Sequence, residues 1–147
     1  AGRDPMAIET ANINVAFIAD DDAELAEIMK APMVKSWVLM MSAEMLRSKG
    51  YEHPMGENWG GVLDFNPMTL TRERVVACIN KVQPEMLINF LPSGTPKQVA
   101  QKVKGLCDAG LEVATILDYA SMAGVKFMEK SARKVRAVED ELLRLAG

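Results

Sequence analysis

MLINFLPSGTPKQVAQKVKGLCDAGLEVATILD, residues 86–118, is the stretch on which the architecture turns. Met86 to Leu91 is a short apolar run that reads as a strand. Ser93-Gly94-Thr95-Pro96 then turns the chain into a helix. Gly94 permits the tight turn, Thr95 is an N-cap, Pro96 fits the first helical position and Gln98 completes a capping box. Val99, Ala100, Val103, Leu106 and Cys107 share one face, and Gly110 ends the helix as a left-handed cap. Leu111 to Leu117 (LEVATIL) follows as another strand, closing on Asp118 and Tyr119. Strand, helix and strand in so short a span predict a parallel pair joined by a right-handed crossover.

Upstream, Ala11 to Ala19 (ANINVAFIA) is a third apolar run, of the kind that suits a strand covered on both faces. Asp21 is expected to cap the next helix with Glu24 reaching back, and Leu25, Ile28 and Met29 form its apolar side before Pro32 breaks the pattern. Met33 to Arg47 reads as one helix, apolar nearly all round and therefore buried or lining a cleft. Residues 49–67, rich in Gly and Pro, form a long loop, and long loops in compact α/β proteins are disproportionately functional. Thr71 opens a helix with Val75, Val76, Ile79 and Val82 inward, ended by Pro84. A last helix sets Met128, Ala132, Val135, Val138, Leu142 and Leu145 on one stripe, with an Asp140–Arg144 pair on its polar side.

Three strands cannot close a barrel, and a lone three-stranded parallel sheet leaves two bare edges. No Gly-rich dinucleotide fingerprint marks a Rossmann unit. The fold expected is therefore α/β: a partial (β/α)8 barrel, with the 147 residues forming the last three strand–helix units of a single larger domain. The opening Ala-Gly-Arg-Asp-Pro, without an initiator Met, reads as a cut start, and the closing Leu-Ala-Gly as a natural C-terminus.

A net charge of −3, spread along the chain, is the wrong footprint for a nucleic-acid groove. No run approaches the ~20 apolar residues of a membrane span, and the protein is expected in the cytoplasm. Cys78 and Cys107 read as buried reduced thiols, and one histidine without a Cys-x-x-Cys leaves no ligand set for zinc.

The segment Ser93-Gly94-Thr95-Pro96-Lys97-Gln98-Val99-Ala100, with Lys102-Val103 and Cys107-Asp108-Ala109-Gly110 behind it, resembles a recurring tail of the luciferase-like monooxygenase superfamily of flavin- and deazaflavin-dependent barrels. Ala19-Asp20-Asp21-Asp22-Ala23-Glu24 and Ala31-Pro32-Met33-Val34-Lys35 are similar, more narrowly, to the branch that uses the deazaflavin coenzyme F420, with its methylenetetrahydromethanopterin-reductase-like proteins and phthiodiolone ketoreductases. The opening Ala-Gly-Arg-Asp-Pro resembles a helix end these proteins carry before their sixth strand. The resemblance implies an oxidoreductase passing hydride between reduced F420 and an organic substrate such as an apolar carbonyl compound. FMN is the alternative cofactor, for a monooxygenase on the same scaffold. A non-catalytic relative that binds a ligand or partner is the alternative of another class. The resemblance further implies a homo-oligomer at full length. It places the ring-facing residues and the phosphate loop upstream, so no catalytic residue carries over.

Barrels build their sites at the carboxyl ends of the strands. That rule singles out Asp20, then Pro92, Ser93 and Gly94, then Asp118 and Tyr119. Asp20 also reads as part of an acidic helix start. Ser93 is assigned to substrate, and Gly94 and Thr95 to the cofactor through N–H groups at a helix N-terminus, beside the capping role of the same turn. Asp118 and Tyr119 are assigned to substrate, since a carboxylate and a phenol can orient or protonate a substrate oxygen. Neighbouring strand residues face opposite ways, so Tyr119 is expected in the cavity and Asp118 at the turn. His53 has a pKa suited to acid–base work but sits beside Pro54 in a loop, where a structural or solvated role is the alternative. Trp37 and Trp59 read either as walls of an apolar channel or as core. Lys126, Lys130, Arg133, Lys134 and Arg136, interleaved with acids, read as a solvated face.

Overall fold

In the computed structural model, which describes residues 8–147, Ala11–Ile18 forms a central strand, β1. The Ala-Gly-Arg-Asp-Pro opening lies outside the described residues. Ser93–Gly94 (β2) and Val113–Asp118 (β3) flank β1 on either side, and every pairing is parallel. A parallel three-stranded sheet alternating with helices is the α/β arrangement expected of a partial barrel. The order is β2-β1-β3. Consecutive barrel strands would lie side by side, but β2 is only two residues long. The long ladder instead joins β1 to β3, from Ala11 opposite Val113 to Ala16 opposite Asp118.

The alternation of β1 divides the core. Phe17 points into a cluster with Ile28, Met29, Val34, Val38, Leu46, Leu87 and Phe127. Ala16 and Ile18 point the other way, against Val99, Ala100, Val103 and Val138. The second cluster is closed by helices Pro96–Asp108 and Val125–Ala146.

Between β1 and β2 the chain is more broken than the sequence pattern predicts. Asp22–Ile28 (α1) is capped by Asp21, but Glu24 reaches back to the N–H of Asp20, at 2.5 Å, one residue earlier than a capping box requires. Pro32 opens the next helix, Pro32–Lys35 (α2), as its first residue. The single helix expected over Met33–Arg47 is three pieces: α2, a 3-10 turn at Ser36–Met40, and Ala43–Arg47 (α3), which Ser42 caps. The break has a cause. The carbonyl of Trp59 takes the N–H of Ala43 at 2.7 Å, and Gly61 lies against the backbone of Met40–Ser42. The 49–67 segment thus folds back into the gap, with one 3-10 turn at Gly61–Leu63. Arg72–Ile79 (α4) starts at the Thr71 cap and buries Cys78 and Ile79, leaving Val76 exposed.

Met86–Leu91 is not a strand. Pro84 initiates a one-turn helix, Glu85–Ile88 (α5), that buries Met86 and Leu87, and only Ser93–Gly94 reaches the sheet. Short apolar runs fit either state, and here the proline decides. Pro96–Asp108 (α6) carries the full Thr95–Gln98 capping box, and Gly110 has φ +109°. Leu106 is exposed and Cys107 half-buried; both cysteines are free thiols. On Val125–Ala146 (α7) the inward stripe begins at Phe127 and continues through Lys134 and Val138, while Met128 and Leu145 face out. Asp140 pairs with Arg136, and Arg144 with Glu141, not with each other. No helix among the described residues is long and apolar enough to cross a membrane.

Candidate functional site

The three strands end together, gathering Ile18–Asp20, Ser93–Gly94 and Asp118–Tyr119 on one edge of the sheet. Asp118 and Tyr119 diverge there, as strand alternation requires. Tyr119 turns to the side of α2, where its ring meets Trp37 edge-on at 4.8 Å and Phe17 at 6.2 Å. It lines a cleft of about 460 Å³ together with Met33, Trp37, Met40, Phe65, Leu70 and Val75. Ser36, also on the wall, donates its hydroxyl to the carbonyl of Met33. The Tyr119 hydroxyl has no hydrogen-bond partner among the described residues, and Tyr119 and Ser36 are the two hydroxyl-bearing residues of the cleft.

Asp118 is buried on the opposite side, facing α7. Its Oδ1 accepts the N–H of Ala120 at 3.0 Å and that of Ile18 at 3.4 Å. Its Oδ2 has no partner among the described residues. Burial pushes the carboxyl above its ordinary range, against the Ser131 hydroxyl and the two backbone N–H groups, which favour the anion.

Ser93, Gly94 and Thr95 lie across β1 from this cleft and do not line it. Ser93 is buried, its hydroxyl donating to the Leu91 carbonyl at 2.8 Å. The Thr95 N–H donates to Gln98 Oε1 at 2.8 Å, and its hydroxyl oxygen receives the Gln98 N–H at 3.5 Å. The Thr95 N–H and hydroxyl are thus spent on the helix cap.

His53 is built in. Its Nδ1 accepts the Met55 N–H and its Nε2 lies 3.0 Å from the Val38 carbonyl, which together fix a neutral ring with the proton on Nε2. Burial lowers its pKa, over the opposing effect of the Val38 and Met41 backbone. Trp59 stacks on it and donates Nε1–H to the Leu39 carbonyl, so this tryptophan is core, whereas Trp37 walls the cleft. Hollows of about 580 and 690 Å³ flank the same turn, lined largely by Tyr51, Glu52 and glycines, away from the strand ends.

The basic face of α7 is not simply solvated. Lys134 is 1% exposed, with its ammonium 2.6 Å from Glu24 and 3.1 Å from the Ile18 carbonyl. Lys130 bridges Glu24 and Asp20, Arg133 holds Asp20, and Lys126 pairs with Glu27. Asp20 is thereby committed to an ion-pair network that ties α1 to α7. Lys126, Arg133 and Arg136 keep the expected exposed place, Lys130 is half-buried, and Lys134 alone of the five is sealed. The signal in the sequence was spacing: Phe127, Ser131, Lys134 and Val138 fall on one helical stripe.

Fold and site together describe an α/β protein with an apolar cleft and one free phenol at the carboxyl ends of parallel strands. The chain is 31% identical over 118 residues to the phthiodiolone/phenolphthiodiolone dimycocerosates ketoreductase of Mycobacterium kansasii, a match covering 80% of this chain and 32% of that protein. The ketoreductase of the same name from Mycobacterium tuberculosis (strain H37Rv) is 30% identical over 118 residues, covering 80% and 31%. That of Mycobacterium sp. (strain JLS) is 24% identical over 133 residues, covering 90% and 33%. The chain therefore spans about a third of the length of the curated relatives it matches. No family model matches, and no solved structure matches.

Proposed function

We propose that this chain supplies the substrate side of a larger oxidoreductase that reduces an apolar carbonyl compound. The observation that carries the reading is Tyr119, its hydroxyl without a partner among the described residues, lining an apolar cleft beside Trp37. The names of the similar ketoreductases support the reaction class. A need for more protein is supported by the sheet. Ile13 is 65% exposed, Val113 40% and Leu117 47%, and they share one uncovered apolar face.

In this reading a ketone lies along the cleft wall with its oxygen at the Tyr119 phenol. The hydroxyl donates a hydrogen bond that polarises the carbonyl, and supplies the proton the product alcohol requires on oxygen. Trp37 and Met40, both half-buried, present apolar surface beside the reacting carbon, which strengthens that hydrogen bond. Reduced deazaflavin, coenzyme F420, is proposed as the source of hydride, in keeping with the resemblance.

The test is Tyr119→Phe in the protein that carries this chain, assayed with a long-chain ketone by the return of oxidised deazaflavin absorbance. Turnover is expected to fall at least tenfold, with cofactor affinity and melting temperature unchanged. Unchanged turnover would remove Tyr119 from the site.

A further inference from the structure

Asp118 raises a question that the turn alone does not answer. A carboxylate this buried is costly, and one of its two oxygens has no partner. The other oxygen does two things. It takes the N–H of Ala120, the residue after Tyr119, and the N–H of Ile18 at the end of the central strand. The Ile18 peptide is then held from both sides, since its carbonyl receives the buried ammonium of Lys134. With Asp118 itself on β3, the backbone is pinned on each side of Tyr119 to the end of β1.

We propose that Asp118 is a positioning residue: it acts through Tyr119, fixing the phenol at the cleft by fastening residues 118–120 to Ile18. This rests on the proposed role of Tyr119. The work is done by one accepting oxygen, so charge is not required, and the raised pKa of the group agrees with that. An amide presents the same accepting oxygen, and puts an NH₂ where Asp118 Oδ2 has no partner among the described residues.

The experiment is a double-mutant cycle in the intact enzyme, with kcat and KM measured for parent, Asp118→Ala, Asp118→Asn, Tyr119→Phe and Asp118→Ala/Tyr119→Phe. Asp118→Ala is expected to lower kcat about tenfold or more, because a phenol displaced by an ångström no longer meets the carbonyl oxygen. Asp118→Asn is expected to keep kcat within about twofold of the parent. In the Tyr119→Phe background, Asp118→Ala is expected to cost nothing further, since there is no phenol left to position. Three results overturn the proposal: Asp118→Ala with parental kcat, Asp118→Asn as poor as Asp118→Ala while folded, or additive losses in the double variant. If Asp118→Ala does not fold, Asp118→Ser takes its place in the cycle, because a hydroxyl still caps Ala120 but is too short to reach Ile18. Parental turnover in Tyr119→Phe strikes the functional reading instead, so the two failures are told apart.

Discussion

Glu24→Gln removes the charge that faces the sealed ammonium of Lys134 while keeping the shape of the side chain. Burial by itself would raise the Glu24 carboxyl. Hydrogen bonds from Lys134, the Asp20 N–H and Lys130 more than reverse this and bring it from 4.5 to about 2. That difference corresponds to about 3 kcal/mol of preference for the ionised form. The outer oxygen faces Lys130 at the solvent edge, where screening weakens the pair, so a loss of about 2 kcal/mol is expected at neutral pH. The sign with pH follows. Glu24 contributes its full stability above pH 4.5 and loses it as pH falls through about 2, so parent and variant converge over that window. Lys134→Met should cost less, about 1 kcal/mol, because Glu24 keeps Lys130 at 2.9 Å and the Asp20 N–H, while the thioether fills the buried volume. Urea denaturation of the intact protein, followed by circular dichroism at pH 7 and pH 3, measures both. If Lys134→Met loses more than Glu24→Gln, or Glu24→Gln loses under about 0.5 kcal/mol, the buried ammonium does not depend on Glu24.

Two further outcomes are expected. Gly61 has φ +67°, and a Cβ there would stand 2.7 Å from the Met40 carbonyl oxygen and 2.9 Å from the Ser42 nitrogen, both backbone atoms that no rotamer change can move. Gly61→Ala should therefore cost about 3 kcal/mol in denaturant titration, and a loss under about 1 kcal/mol would mean the 49–67 segment is not wedged into the helix break. His53 is held neutral by burial, with its folded pKa below 6.5. The unfolded chain takes up a proton that the folded one does not, so stability falls as pH drops below about 6.5. Melting temperatures of the parent and His53→Gln at pH 7.5 and 5.5 test this, and equal slopes would remove His53 from the cause.

What could be read from the sequence was the chemistry that acts locally. Thr95, Pro96, Gln98 and Gly110 each favour one backbone state whatever surrounds them, and α6 begins and ends where they say. Tyr119 and Asp118 diverge because strand alternation is local too. The misreadings share another origin. Met86–Leu91 has the composition of a strand, but Pro84 starts a helix and Met86 and Leu87 are supplied to the core cluster around Phe17. Met33–Arg47 has the periodicity of a helix, but a loop some twenty residues downstream competes for its backbone groups. Lys134 was hidden by its neighbours: among so many charges on α7, composition alone does not show that this lysine falls on the Phe127–Val138 stripe.

The pairing of β1 with β3 sets a timetable for the ribosome. Partners such as Ala11 and Val113 are about a hundred positions apart. At about 5–20 residues per second, roughly 5–20 s of synthesis separate them. For all of that time Val15, Ala16, Phe17 and Ile18, which end fully or nearly buried, have emerged without the strand they pair with. The two-residue β2 arrives sooner but covers only Phe17 and Ile18. The nascent chain therefore carries an exposed, aggregation-competent segment until the third strand has been made.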